Sequence, residues 1–392
     1  MANSPMEPAQ LIEAAEQLAP LLRETARECE RARRPLDEVI DAAKLSGLFA
    51  LMTPRVHGGH EADLDTLFEV SLILSRADAS MGWLLTFYIE HNFWLCGFGE
   101  RFQQELYADK NHVLAPAALN VGAGGATRVE GGYRLAGRWQ WGTGIVHADW
   151  VLAGALVHDD DGSVAPLFFA LPRDEVKAID TWHVLGMCGT GSWDFAIDDV
   201  FVPEDRVVSM IDLVGATGES GRLHEGDLYQ TPLIPVLGFA AGLPMLGAAQ
   251  MALAEYQTQA KAKIAASEDA VGGPERNIGK PSVVASAALS IEAAELMFRD
   301  VLAEVMAQRN RASLETRSAW LSRMAHAVFM CRDAVQDISS VTGAGGARLE
   351  SPIQRALRDI TTGSNHVIFD REMRYADYGR ILLDQPIKNL LV

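Results

Sequence analysis

The stretch Gly131–Trp141, GGYRLAGRWQW, lies between two long segments of different character, and its reading decides the fold. Tyr133, Leu135 and Trp139 fall on one side of a two-residue period, with Arg134, Ala136 and Arg138 on the other. That alternation is the mark of a half-buried strand. Short apolar runs follow at Trp150–Val157 (WVLAGALV) and Pro166–Leu171 (PLFFAL), and Asp194–Pro203 (DFAIDDVFVP) reads as a further strand. No helical pattern alternates with these strands, which argues against βαβ units and a Rossmann domain.

Working outward, residues 8–110 read as helical. AQLIEAAEQLAPLLRETARECERARR is rich in helix formers at helical spacing, and LDEVIDAAKLSGLF ends at Gly47, a plausible capping glycine. Two further helices are expected at roughly 63–76 and 79–97. Downstream, Val284, Ala287, Ile291, Ala294, Phe298, Val301 and Val305 keep the alternating three-four spacing of a bundle seam, and long helices fit 233–266 and 316–341. The layout is mainly α with a central β-domain: helical residues 1–111, a β-domain over 112–225, and a helical bundle over 226–392.

Length and composition narrow the function. A chain of 392 residues exceeds the size at which one core keeps growing. A formal charge of −18 repels phosphate backbones, so nucleic acid is not an expected partner. The N-terminus lacks a basic stretch followed by an apolar run, and the apolar runs are read as too short for the ~20 residues a bilayer span needs. The cysteines Cys29, Cys96, Cys188 and Cys331 form no CxxC and read as reduced, buried thiols. The expected compartment is cytoplasmic, with no membrane association.

Several motifs invite chemistry. The GAGGA pentads at Gly122–Ala126 and Gly343–Ala347 are not G-x-G-x-x-G and do not open a helix after a strand, so the first reads as a flexible turn. The second, with Gly343 and Gly345, falls between two bundle helices. His57 and His60 in HGGH lack further ligands nearby, so no metal is expected. GxSxG, HExxH and SxxK motifs are absent, leaving hydrolase readings without support. His91, in an apolar helix, is either a satisfied core residue or a base or donor on the wall of a pocket lined by Trp83, Phe87 and Phe93 or Trp94. His366 carries the same ambiguity: it restarts a helix after Thr361–Asn365, where Ser364 and Asn365 are better caps. Trp141, Gly142 and Thr143 either offer a flat wall and close backbone approach to a planar ligand or form a β-bulge with core tryptophans, and the hydroxyl-bearing turn of Gly189, Thr190, Gly191 and Ser192 either holds a polar ligand edge or closes a hairpin.

In order and spacing, LFALMTPRVHGGHEADLDTLFEV, YRLAGRWQWGTGIVHADWVL, LGMCGTGSWDFAIDDVFVPEDRV and VTGAGGARLESPIQRALRD resemble the acyl-CoA dehydrogenase superfamily over nearly the whole chain. The resemblance implies an N-terminal helical domain, a β-barrel-like middle domain and a C-terminal four-helix bundle, with flavin between the last two and a homotetramer as the assembly. Where the dehydrogenases carry a catalytic glutamate, about eight residues beyond the "RD" pair, this chain has GSNHVIF, with no Asp or Glu from Ile360 through Phe369.

His91 after SMGW and His366 after GSN instead resemble the oxygenase components of two-component flavin monooxygenases, similar to the hydroxylases of 4-hydroxyphenylacetate, of a steroid-derived phenol and of dibenzothiophene. The resemblance implies reduced FMN or FAD delivered by a separate NAD(P)H:flavin reductase, O2 as co-substrate, a flavin C4a-hydroperoxide, and hydroxylation of an aromatic or polycyclic substrate. It makes His366 and His91 the active-site histidines and sets Thr143 beside flavin N5. Trp141, Gly142, Gly189, Thr190, Ser192, Gly343, Gly345 and, for a phosphate, Arg276 would border the flavin. Trp83, Phe87 and Asn365 would face substrate. The alternatives are a dehydrogenase or oxidase using Asp370 or Glu372 as base, and a non-catalytic binding or assembly subunit.

Overall fold

The computed structural model describes residues 5–158, 163–216, 223–268, 280–389 and 392. The N-terminal part contains α1 (Pro8–Ala32), α2 (Asp37–Leu45), α3 (Leu64–Ala77), α4 (Ala79–Leu95) and α5 (Glu100–Leu106). Pro8 opens α1, where its missing N–H costs nothing, and the Glu7 and Gln10 side chains cap the first turn reciprocally. Asp78 ends α3 and starts α4, its carboxylate accepting from Met81 N–H at 3.0 Å. Every residue of α4 is buried, the expected fate of a helix apolar on all sides.

The middle of the chain is one eight-stranded sheet. Its strands are β1 (Ala117–Ala118), β2 (Gly124–Val129), β3 (Gly132–Gly142), β4 (Trp150–His158), β5 (Val164–Pro172), β6 (Lys177–Ile179), β7 (Trp193–Pro203) and β8 (Val207–Ser209). The spatial order is β6-β7-β3-β2-β4-β5-β8, with β1 parallel to β4. In β3, Tyr133, Leu135 and Trp139 are buried while Arg134, Ala136 and Arg138 are exposed, as the alternation required. Trp139 stacks on Phe195 at 5.4 Å, and burying such a ring is worth about 3 kcal/mol. Between Trp139 and Gly142 the register with β7 shifts, and the period breaks: Trp141, in phase with Trp139, is 56% exposed. The first pentad is not a flexible turn. Gly124 and Gly125 begin β2, and a Cβ at Gly124 would meet the Trp139 ring at 2.0 Å.

After α6 (Met210–Gly215) comes the bundle of α7 (Leu233–Glu268), α8 (Pro281–Gln308), α9 (Leu314–Val341), α10 (Pro352–Gly363) and α11 (Arg371–Leu382). The α8 seam is buried at Ala287, Ile291, Ala294, Phe298, Val301 and Val305. The sequence reading of the apolar runs needs correction: α7 and α8 are both long and apolar enough to cross a membrane. The apolar window of α7 is 83% buried inside the protein, where α3, α4, α9 and α10 pack on it. The N-terminal helices and the bundle share one contiguous core, and the sheet carries its own. The site lies where these layers meet.

Candidate active site

On α4, Trp83, Phe87 and His91 recur every four residues and so form one stripe. Trp83 and Phe87 stack at 4.8 Å, Phe87 meets His91 edge-on at 5.4 Å, and His91 meets Trp94 at 4.9 Å. His366 faces the same stripe from the end of the bundle, 5.5 Å from Trp83 and 6.4 Å from Phe87. Gly363 lets this end approach: a Cβ there would meet Met245 of α7 at 2.5 Å and Trp83 at 3.7 Å. The structure thus brings both sequence-selected histidines to one aromatic wall. Burial pulls each imidazole down to about 4, so both are neutral at physiological pH. His366 is half-buried yet densely surrounded, the signature of a group lining a recess.

The two rings are held in opposite tautomers. His366 caps the short turn Val367–Phe369, its Nδ1 accepting from Ile368 N–H at 3.3 Å. An accepting Nδ1 leaves the proton of the neutral ring on Nε2, a donor. Ser364 and Asn365, which the sequence favoured as caps, do not take this role: Ser364 Oγ donates to the Thr361 carbonyl, and Asn365 is exposed. His91 Nδ1 lies 2.5 Å from the Ala115 carbonyl, which can only accept. Its proton therefore sits on Nδ1, and Nε2 carries a bare lone pair. One wall offers a donor and an acceptor.

The second region is a strip where β3 ends and β7 begins. Thr190 Oγ1 donates to the Met187 carbonyl at 2.9 Å, so it accepts from Ser192 Oγ at 2.7 Å. Ser192 in turn accepts from Thr143 Oγ1 at 2.9 Å. With one proton per hydroxyl, Thr143 is left with lone pairs alone for any further partner. Tyr88 of α4 ties the strip to the wall by donating to the Gly144 carbonyl. Gly144 has φ +74°, and a Cβ there would lie 2.3 Å from the Tyr88 hydroxyl. Exposed Trp141 stands beside half-buried Trp182, ring centres 6.4 Å apart, and the buried indole N–H of Trp193 has no partner among the described residues.

Other residues take different places. Gly142 and Gly189 are packing glycines: a Cβ at the first would meet Phe195 at 3.1 Å, at the second Cys29 and Met81 at 3.2 Å. Gly343 and Gly345 occupy an open turn at the far end of α10, about 18 Å along that helix from His366. Arg276 lies outside the described residues. His57 bonds Gln103 and His60 accepts from Met6 N–H, separate jobs with no shared ligand geometry. Asp370 caps α11 through Met373 N–H, and Glu372 is exposed, so neither carboxylate stands on the wall. A groove of about 520 Å³ between α1 and α2, lined by Met6, Glu13 and Leu45 among others, contains none of these aromatic residues. Sequence reasoning missed Tyr88 and Glu90; an ionisable residue inside an apolar helix was the available signal for the second.

The family model "Acyl-CoA dehydrogenase, C-terminal domain" matches residues 239–371. A pigment production hydroxylase from Rhodococcus sp. is 32% identical, with 98% of each chain covered. An FADH(2)-dependent resorcinol hydroxylase, oxygenase component, from Rhizobium sp. is 33% identical over 89% of this chain and 88% of its own. The chain belongs to the acyl-CoA dehydrogenase superfamily, among its flavin-dependent monooxygenase oxygenase components. In that family the crystal structure of 3-HSA hydroxylase from Rhodococcus sp. RHA1 superposes with a TM-score of 0.91 at 26% identity, covering 98% of this chain and 99% of that one. The superfamily's fold is therefore shared end to end.

Proposed function

We propose that this protein is the oxygenase half of a two-component flavin monooxygenase, taking reduced FMN or FAD from a separate NAD(P)H:flavin reductase and hydroxylating a phenolic or polycyclic aromatic substrate. The observation that carries this reading is the pair of neutral imidazoles in opposite tautomers on one apolar wall. A phenol hydroxyl meets both needs at once. It donates to His91 Nε2 and, as its proton leaves, its oxygen accepts from His366 Nε2–H. Trp83 and Phe87, stacked on one another, offer the ring an apolar surface, and Asn365 borders the approach from solvent.

The residues of the strip fit a flavin. Trp141 supplies an open aromatic face, Trp193 an unspent N–H, and Thr143 a hydroxyl whose proton is already committed. Such an acceptor suits the N5–H of a reduced flavin. Thr190 and Ser192 act behind Thr143, and Gly142 and Gly189 keep the backbone close. Bound reduced flavin would supply the two electrons that split O2 between product and water. The chain's part is to hold the substrate, move its hydroxyl proton and exclude water with buried aromatic side chains. Gly343, Gly345 and Arg276 would serve the remote phosphate end of the cofactor.

The division at residues 111 and 225 is the proposed domain organisation, supported by the separate core of the sheet. The proposed assembly is a homotetramer in the cytoplasm. Leu289 and Leu296, seven residues apart on the outer face of α8 and 65% and 61% exposed, would be covered in it. The test is product formation from resorcinol with NADH and flavin, with and without an added flavin reductase. Hydroxylation should require the reductase. NADH-driven product without it would overturn the two-component assignment.

A further inference from the structure

Glu90 is a buried acid that the reading above does not employ. Its carboxyl is fully buried, with Oε1 accepting from the Trp94 indole N–H and Oε2 lacking a hydrogen-bond partner among the described residues. The unpartnered oxygen lies 3.5 Å from His91 Nε2. That nitrogen is bare because the Ala115 carbonyl keeps the ring's proton on Nδ1. An orphaned buried carboxyl oxygen beside an orphaned imidazole lone pair, on the wall that faces His366, is a place built to share a proton.

We propose that Glu90 acts through His91 as the holder of the proton removed from the substrate. The substrate O–H bond breaks, its proton passes to His91 Nε2 and on to Glu90 Oε2, and the electron pair stays on the substrate oxygen facing His366 Nε2–H. Glu90 begins the step as a carboxylate and ends it as a carboxylic acid, with no change of oxidation state. It is a positioning residue, since His91 makes the substrate contact. This inference rests on the phenolic substrate proposed above.

Proton affinity favours the pair over His91 alone. A free phenol side chain titrates near 10, so an imidazole at about 4 is roughly a million-fold too weak an acceptor. Burial raises Glu90 to about 8 and closes the gap to about a hundredfold. Apart from burial, the Trp94 hydrogen bond is what acts on Glu90, and no charged group opposes it. The titratable groups on neighbouring elements stay neutral near pH 8: burial pushes Tyr88, Tyr107 and Cys96 up, and holds His366 and His112 down to about 4. Asp149 is engaged by Lys110 and the Leu114 N–H. Ionisation of a bound phenol should therefore rise with pH through about 8 as Glu90 becomes a carboxylate.

The probe is 4-nitrophenol, whose anion is coloured, titrated into the purified protein across pH 6 to 9. In the wild type the bound probe's anion fraction rises through about pH 8. Glu90→Gln keeps the Trp94 contact and the shape of the side chain. It should bind the probe comparably while lowering the anion fraction at pH 8 by about tenfold or more. Glu90→Asp should keep a rising limb. If the Glu90→Gln profile superimposes on the wild type, the inference falls and the phenol reading stands. If the wild type hydroxylates resorcinol yet leaves bound 4-nitrophenol neutral throughout, the inference again falls alone. If it neither binds nor hydroxylates phenols, the underlying functional reading fails and takes the inference with it.

Discussion

The helical wall and the strip at the strand ends are tied together through Tyr88 and Gly144 but are made of opposite materials. The wall holds ionisable groups in apolar surroundings: His91, His366 and Glu90 all have their charged forms suppressed by burial. The strip holds Thr143, Ser192 and Thr190, hydroxyls that do not titrate in water's range and whose protons run in one direction to the Met187 carbonyl. A chemistry that must move one proton and protect one flavin separates those tasks in this way. The wall should control proton transfer, and the strip should control which flavin is held.

The sharpest break in that division is removal of a wall imidazole. His366→Ala or His91→Leu should lower kcat/KM for a phenol by about 10³-fold, the scale of a lost general acid–base group. Oxygen consumption should continue, now yielding hydrogen peroxide, because the strip is untouched. Oxygen-electrode and product assays run together would read this, and retained coupling in both variants would refute the wall's role.

Next in size is the hinge between the regions. Gly144→Ala forces a Cβ at positive φ to within 2.3 Å of the Tyr88 hydroxyl, and should cost about 3 kcal/mol. Thermal unfolding checks it.

The wall should also have its own stability signature. His91 and His366 titrate at about 4 when folded and near 6.5 when unfolded, so their stabilisation is full above 6.5 and lost as pH falls toward 4. His112 and His224 add in the same direction. Glu90 has the opposite sign: its folded value of about 8 exceeds the unfolded value near 4.5, so stability declines as pH rises from 4.5 to 8. Glu90→Gln should therefore raise stability at pH 7 by on the order of 3 kcal/mol. A denaturant series at several pH values would show a maximum near pH 6.5, where the four histidine contributions are complete and only the Glu90 decline remains.

The smallest effect belongs to the strip. Thr143→Val should weaken binding of reduced flavin by about tenfold relative to oxidised flavin, the value of one hydrogen bond. It should leave the pH dependence of phenol ionisation unchanged. Anaerobic flavin titration measures the first and the nitrophenol probe the second.

Much of this was legible in the sequence because periodicity survives folding. The β3 alternation gave the buried face of the sheet, and the α8 spacing gave its seam. Trp141 escaped that logic because a register shift after Trp139 turns it outward, and register is set by the partner strand. The apolar run of α7 reads as too short for a span in the sequence, and its burial depends on helices from both ends of the chain. His366 looked like either a cap or a catalyst. Its Nδ1 caps a turn, which fixes the proton on Nε2 for the wall, so one role prepares the other. Glu90 stands out in the sequence as an acid inside an apolar helix, but its role depends on the distance to the neighbouring ring and on the carbonyl of Ala115, which reaches α4 from another part of the fold.

The central claim is that this chain spends reduced flavin and O2 on a substrate hydroxylation without handling NAD(P)H itself. A single turnover with chemically reduced flavin, resorcinol and ¹⁸O2, in the absence of nicotinamide and reductase, tests it directly. The account predicts a hydroxylated product carrying one oxygen atom from ¹⁸O2 per molecule. Flavin reoxidation with hydrogen peroxide alone, across resorcinol and other phenols that bind the protein, would contradict it.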